Sequence, residues 1–555
     1  MKKVIIPILL VIIIALSGTS IYFYNMYKES QTYLVEDYYR DLKIVNGTRI
    51  SDEIFKEQNG QWWIKADAAM KYIDPDMYYS GSGKRVYMSL DNMDLMLESR
   101  ELTSYMTSNL GKINIPVRSI EGIRYLSLDQ LEKLYAVRHH FYSDKNTHLM
   151  VSTAADIQSG IAARSTEVLA GPEKGRLPVG QLNKGELVNI LSTQDDYKLV
   201  MSSSGIYGYV PDSVLPSVEA VELKNGPVRE RQQKELLERT RLVWEQIHSY
   251  EYFTGEMAYG PESGLDVLSP TWFSLNVDGI VLNIADQAYV DAAHDKGLKV
   301  WALLSNSFDP DWTHDMLSDK ALRKSVISQM IAYSAVYNLD GINIDFENVY
   351  LKDKDLFTEF VAELSEMLHQ QGMVVSIDVT VPWGSERYSL FADRPALAKS
   401  VDYVMLMAYD EHWASIQSPG SVASRDWIEK GIIESLELIP KDKLILGLPF
   451  YSRVWSQIGN GKVSSKALGF NGQKRWLEET GTSVVFDEST GQNYAETSVD
   501  GVKKKIWLED ETSLKMRIDM AKKYDLPGVA GWSLLFTTDD VWEQIEDTYP
   551  AKGGL

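Results

Sequence analysis

The residues best placed for chemistry lie in one octet, Asp340-Gly341-Ile342-Asn343-Ile344-Asp345-Phe346-Glu347. Apolar and polar side chains alternate along it, which is the period of a β-strand. Ile342, Ile344 and Phe346 then face one way, and Asn343, Asp345 and Glu347 the other. Two carboxyls at i and i+2 stand roughly 6.6–6.8 Å apart along a strand, near enough for their side chains to converge. Like charges that close favour holding a proton between them, which keeps one carboxyl as a general acid. Glu347, at the end of the strand, is the expected donor, and Asp345, one layer deeper, its partner. Both lie on the same side of a bound substrate, so Asp345 is badly placed to attack from the opposite face, as two-carboxylate hydrolysis requires. No other carboxylate stands out as a nucleophile, so the attacking group is expected to come from the substrate itself. The bland alternative is a buried polar network that only stabilises the fold.

Such a strand needs a scaffold that brings several strand ends together. Between about 240 and 551, short apolar runs alternate with helical patterns, which predicts a parallel sheet. Strands are expected at Leu242–Gln246, Val267–Leu275, Val300–Asn306, Gly341–Glu347, Val374–Val379, Tyr403–Asp410, Leu444–Tyr451 and Val529–Leu535. Helices are expected between them, among them Ala321–Tyr337 and Asp355–Gln371, the latter stopped by Gly372. Eight such units make a (β/α)8 TIM barrel, an α/β fold whose catalytic residues sit at the C-terminal strand ends. A packed barrel interior prefers apolar residues, so three polar groups in a row there point to function. About 452–510 is too long for a loop after the seventh strand. Its strand-like runs Ser483–Asp487, Tyr494–Ser498 and Lys503–Leu508 predict a small α+β insertion forming one wall of the cleft.

The octet resembles the D-G-x-D-x-D-x-E signature of glycoside hydrolase family 18, which includes chitinases and N-acetylglucosaminidases. Met405-Leu406-Met407-Ala408-Tyr409-Asp410 resembles the family's sixth-strand element, and Gly531-Trp532 its last-strand Trp. Asp345-Phe346-Glu347-Asn348-Val349, Met407 to His412 and Ile506 to Asp510 look most like the spore-cortex-lytic and cell-wall branch. The resemblance implies that Glu347 protonates the glycosidic oxygen while the substrate's 2-acetamido oxygen attacks the anomeric carbon, giving an oxazolinium ion and net retention. Asp345 would orient the acetamido N–H, and Tyr409 would bond the acetamido oxygen. Asn343, Met407, Asp410 and Trp532 are the expected substrate contacts, with Trp532 as an apolar floor beneath the sugar. Trp272 and Trp301 are further cleft candidates. No metal or organic cofactor is implied. Two positions depart from the family pattern. Asn343 stands where many chitinases carry an inner Asp, so a proton relay through it is lost. Ala302 to Asn306 replace a Gly-rich third-strand motif.

Upstream, Met1-Lys2-Lys3 and the apolar run Val4–Leu16 predict a signal anchor over residues 1–29, with an extracytoplasmic catalytic domain; secretion to the cell wall is the alternative. Residues 30–155 contain a repeat, Gly60–Lys71 against Gly122–Lys133, each read as a strand, an Asp N-cap and a helix. It resembles copper amine oxidase N-terminal-like α+β domains, without implying copper. His139-His140, with no third ligand in view, is not expected to be a metal site. Residues 157–215 resemble a bacterial SH3 domain, a small all-β barrel, and 216–239 read as a linker.

Composition agrees with this scheme. The 555 residues suggest several domains, and a net charge of −22 argues against a nucleic-acid partner. Zero Cys excludes disulfides, thiolate catalysis and zinc–thiolate sites. The 14 Trp and 31 Tyr supply flat faces for stacking on sugars. The expected protein is a monomeric, membrane-anchored retaining glycosidase acting on an N-acetylglucosamine polysaccharide, peptidoglycan or chitin-like. A non-catalytic glycan-binding protein on the same barrel is the alternative.

Overall fold

The computed structural model describes residues 2–93, 97, 102, 104–106, 111–152, 158–220, 234–458 and 463–551. The middle of the expected linker, 221–233, lies outside them. The chain forms two compact units, Met1–Pro75 with Tyr125–Gly226 and Asp76–Arg124 with Pro227–Leu555. The stretch 30–155, expected as one domain, is therefore divided between them.

In the first unit a helix, Lys2–Tyr39, precedes a four-stranded sheet and a seven-stranded antiparallel sheet built from 158–220. Leu42, Ile44, Leu149 and Val151 share one apolar core with Val168, Ile190, Val200 and Val210, so the two expected modules are packed as one body. Burial of that shared core, not local propensity, holds them together. The internal repeat is a structural one. Gln61–Lys65 leads into a helix at Ala66–Tyr72, and Ile123–Ser127 into one at Leu128–Leu134. The two strands pair antiparallel, Trp63 opposite Ser127. The expected Asp caps lie inside the helices instead. Asp67 and Asp129 occupy first turns, where their charge meets the positive end of the helix dipole. Ser127 is the side-chain cap of the second copy, accepting from the Gln130 N–H. His139 Nε2 lies 3.0 Å from His148 Nδ1, and both rings pack against Phe55.

The expected membrane anchor is overturned, and the expected extracytoplasmic membrane location with it. Among the described residues, no helix is long and apolar enough to cross a membrane. The run Val4–Leu16 falls short of the ~20 apolar residues a span needs, and polar Ser17-Gly18-Thr19-Ser20 follow it. Further along the same helix stand Lys28, Glu29, Glu36 and Asp37.

The second unit is built on eight parallel strands, β1 (Thr240–Glu245), β2 (Val267–Pro270), β3 (Lys299–Ser305), β4 (Gly341–Asp345), β5 (Val374–Thr380), β6 (Tyr403–Met407), β7 (Leu444–Pro449) and β8 (Gly528–Trp532). They pair in the order 2-1-8-7-6-5-4-3, and β2 pairs with β3 to close a barrel. The (β/α)8 expectation holds, with strand ends shifted by a few residues, except that the expected Val267–Leu275 breaks after Pro270 and Phe273–Leu275 forms a separate short strand paired with Val281–Asn283. β4 stops at Asp345 and β6 at Met407, so Glu347, Tyr409 and Asp410 stand on the loops just past the ladder. The interior is filled by Leu242, Trp301, Leu303, Val374, Tyr403, Met405, Ile445 and Ala530. Phe346 points the other way, stacking on Phe357 and Phe360 of the helix Lys354–Gln370, as the alternation requires.

Two additions surround this barrel. Asn114, from a hairpin of Arg85–Ser89 and Lys112–Pro116, is fully buried and donates to Val281 O at 2.8 Å and Tyr333 Oη at 3.1 Å. After β7 comes the insertion, a five-stranded antiparallel sheet (Tyr451–Ile458, Val463–Gly469, Val484–Asp487, Gln492–Val499 and Val502–Trp507) with one helix, Phe470–Thr480. One buried ion pair ties it to the barrel. Arg517 donates to both oxygens of Glu509 at 2.6 and 2.7 Å and to Ala423 O at 2.6 Å. Gln492 of the insertion donates to Glu509 at 2.8 Å.

Removing the cation alone strands a buried carboxylate. Arg517→Met is expected to lower unfolding free energy by about 3–5 kcal/mol in urea titration. Lys515→Met, which breaks the exposed pair with Asp519, should cost no more than about 1 kcal/mol in the same titration.

Candidate active site

The end of β4 is built to hold acids. Asn343 is fully buried, Asp345 is 6% exposed and Glu347 is half-buried at the mouth. Trp244 of β1 donates its indole N–H to Asn343 Oδ1 at 2.8 Å. The Asn343 amide nitrogen donates in turn to Ser376 Oγ at 3.0 Å and to Asp378 Oδ1 at 2.8 Å. Ser269 of β2 also donates to Asn343 Oδ1, at 3.4 Å, so the costly buried amide is fully occupied and four strands are pinned at one level.

Glu347 has left the strand ladder, and Asn306 takes over its backbone bonds. The Glu347 N–H donates to Asn306 Oδ1 at 3.0 Å, and Asn306 Nδ2 donates to Glu347 O at 2.7 Å. Asn306 follows β3, in the segment that departs from the family pattern, and is itself fully buried. It fixes the backbone of Glu347 without engaging its carboxyl.

The electrostatics follow from burial with too few counter-charges. Glu347 is pushed up to about 7, by burial first and then by the negative charge of Asp410. Asp345 is held well above the usual carboxylate range by burial, then by Asp378 and by Glu347. Asp378 is raised well above the usual carboxylate range by burial first, against the opposing bond from Asn343, and then by the charge of Glu347. Tyr409 is half-buried, and burial plus the charge of Asp378 keeps its hydroxyl protonated. Asp410 adopts a left-handed conformation (φ 59°) and is the most exposed acid of the set. The Tyr451 hydroxyl donates to it at 2.5 Å, and Arg453 lies 3.9 Å away.

The expected residues therefore assemble as follows. Asp345, Glu347, Tyr409 and Asp410 share one field of charge at the mouth. Trp532 ends β8, half-buried, with its ring 6.0 Å from that of Trp244, and packs with Tyr409 on the barrel core. Met407 ends β6, half-buried, in register with Thr380 of β5. Asn343 lies beneath the acids and is not open to a substrate. Trp301 and Trp272 are core residues, at 1% and 2% exposed: the first stacks on Tyr403, the second meets Tyr289 edge-on. Sequence reasoning missed Asp378, Asn306 and Tyr451. Only Asp378 left a signal, as an acid at an inward position of the apolar strand Val374-Val375-Ser376-Ile377-Asp378-Val379. No group of three or more His, Cys, Asp or Glu among the described residues is arranged to hold a metal ion.

Comparison with known proteins agrees with this geometry. Residues 275–536 match the family described as glycosyl hydrolases family 18. The uncharacterized glycosylase YvbX of Bacillus subtilis (strain 168) is 27% identical over 294 residues, covering 51% of this chain and 84% of that protein. The cortical fragment-lytic enzyme of the same organism is 21% identical over 257 residues, covering 44% of this chain and 58% of that protein. The chain thus spans little more than half of the second relative's length. Two solved structures share the fold. The Bacillus cereus spore cortex-lytic enzyme SleL superposes with a TM-score of 0.52 at 15% identity, covering 70% of this chain and 98% of that one. A chitinase from Chromobacterium violaceum ATCC 12472 gives 0.50 at 20% identity, covering 56% and 98%. The acid-lined barrel and these matches agree that residues 275–536 form a family 18 glycosyl hydrolase domain, and the chain is a glycoside hydrolase.

Proposed function

We propose that the protein hydrolyses β-linked N-acetylglucosamine glycans, with peptidoglycan the substrate, by substrate-assisted catalysis with net retention. The observation that carries this reading is Glu347, a half-buried carboxyl among the acids of the barrel mouth, pushed up to about 7. Glu347 gives its proton to the glycosidic oxygen as the bond to the leaving sugar breaks. The 2-acetamido oxygen of the sugar that stays behind attacks its own anomeric carbon from the other face, in place of a protein carboxylate. Asp345 accepts the acetamido N–H, which aims that oxygen, and its negative charge offsets the positive charge that develops on the ring. Tyr409, kept as a neutral hydroxyl, donates to the acetamido oxygen. Trp532 supplies the apolar floor, Met407 an adjoining apolar contact and Asp410 a sugar-hydroxyl contact. Water then opens the oxazolinium ring, with Glu347 taking up the water's proton and regaining its starting state. The relative named as a cortical fragment-lytic enzyme supports a wall glycan within this substrate class. Residues 157–215, which resemble a bacterial SH3 domain, serve in this reading as a glycan-holding module.

Two outcomes check this reading. Glu347→Gln is expected to lower release of reducing ends from purified peptidoglycan and from chitooligosaccharides by about 10²–10⁴-fold, with the products identified by mass spectrometry. Undiminished release by that variant contradicts the assignment.

The second outcome concerns pH. Turnover should fall as pH rises through about 7, where Glu347 loses its proton. The same shift has a sign for stability. The folded carboxyl binds its proton more tightly than the unfolded one, whose ordinary value is 4.5. Whatever stability this group contributes is present below 4.5 and is lost as pH rises through about 7. Glu347→Gln should therefore melt at a higher temperature than wild type at pH 8, and at about the same temperature near pH 4, by differential scanning calorimetry.

A further inference from the structure

Asp378 is a buried acid to which the reaction scheme gives no part. It lies on β5 at 5% exposed. Asn343 and Ile344 of β4 stand opposite Ser376 and Ile377, and the next step of that register sets Asp345 beside Asp378. The two strands are parallel, and β-spacing puts inward side chains of such neighbours within reach of one another. Asp345 Oδ1 is buried and has no hydrogen-bond partner. Two ionised carboxylates can only accept, so neither can satisfy the other. Leaving both charged in a dry interior is costly, and a single proton between them removes the repulsion and supplies the missing bond.

The neighbours also fix where that proton lies. The Trp244 N–H is a donor only, so the Asn343 oxygen faces it and the amide NH2 faces Asp378. That amide donates to Asp378 Oδ1, which must therefore accept. A proton on Asp378 then sits on its other oxygen.

We propose that Asp378 is the acid partner of Asp345, the two carboxyls holding one proton between neighbouring strands, in place of the inner acid that Asn343 has replaced. Asp378 acts through Asp345 and is a positioning residue; the inference rests on the proposed function and specifies its proton inventory. In the resting site the pair carries one proton and one negative charge. When the acetamido N–H docks, Asp345 accepts it as the anion, and Asp378 keeps the proton as an O–H donor to the second Asp345 oxygen. No proton leaves the pair during the cycle: the one given to the leaving group comes from Glu347, and water replaces it. The titratable groups facing the pair are Glu347 past β4 and Tyr409 past β6, with Asp410 and Tyr451 further out. Trp244, Asn343 and Ser376 are its neutral neighbours.

The test uses the full chain with chitotetraose as probe, measuring kcat and KM across pH for wild type, Asp378→Asn, the swap Asn343→Asp/Asp378→Asn, and Glu347→Gln. A carboxamide in place of the Asp378 carboxyl offers only an N–H, a weaker donor to a carboxylate than the shared O–H, so Asp345 gives up its first proton less readily. The acidic limb of kcat should move up by about one pH unit or more, while the alkaline limb stays in place. The swap returns an acid to β4 and should bring the acidic limb back toward wild type. An acidic limb unmoved in Asp378→Asn, or a loss of kcat equal at every pH, overturns the proposal, as does a swap that folds and restores nothing. Asp378→Ala takes the place of Asp378→Asn if the latter does not fold. Independently of turnover, the ¹³C carboxyl signal of Asp345 should titrate in two steps in wild type, the shared proton leaving last, and in a single step in Asp378→Asn. An active Glu347→Gln refutes the hydrolytic reading alone, and an Asp345 signal that titrates alike in both proteins refutes the pair alone.

Discussion

Three carboxyls share a space that tolerates fewer than three charges. Asp345, Asp378 and Glu347 stand at the mouth of a barrel whose interior is otherwise apolar, and among the described residues no cation is paired with any of them. Burial raises the cost of each charge, and each charge raises the cost of the next. The site therefore retains protons at a pH where free carboxyls have lost them. That retention makes an acid available for the proposed reaction, and the rest of the unit is arranged around it.

The supporting shell separates position from charge. Asn306 clamps the Glu347 backbone, so Glu347 is held in place through its main chain and not through its carboxyl. Asn343 carries no charge, yet it links Trp244, Ser376 and Asp378 at one level. An Asp at that position would add a fourth charge to the same space. Asp410, the most exposed acid, is instead steadied by Tyr451 at the root of the insertion and by Arg453. The insertion is thus tied to the site chemically as well as sterically, and the buried Arg517–Glu509 pair anchors it. Preorganisation of this kind is what lets electrostatic stabilisation act without reorganisation during the reaction.

Much of this was legible in the residues themselves. The period-2 alternation from Ile342 to Glu347 told inward from outward, and Phe346 on Phe357 and Phe360 shows why: one face of the strand must feed the helices. The eight strand positions followed from apolar runs broken by helical patterns. Strand ends were less legible, because pairing stops where neighbours stop, as at Asp345 and Met407. Asn306 and Tyr451 gave no local signal, since their roles exist only once β3 meets β4 and the insertion meets Asp410. Asp378 was visible as an acid in an apolar strand, but its partner lies 33 residues away along the chain. The N-terminal segments misled for a related reason. Asp67 and Asp129 sit at helix starts as expected of caps, yet the backbone turns one residue or more earlier.

The central claim is that Glu347 still carries its proton near neutrality. The direct measurement is a ¹³C NMR titration of the carboxyl carbons in the full-length protein, with the Glu347 signal assigned by its disappearance in Glu347→Gln. The account predicts a transition at about 7 for that signal. A Glu347 signal that is already fully ionised at pH 6, titrating near the ordinary glutamate value of 4.5, would contradict it.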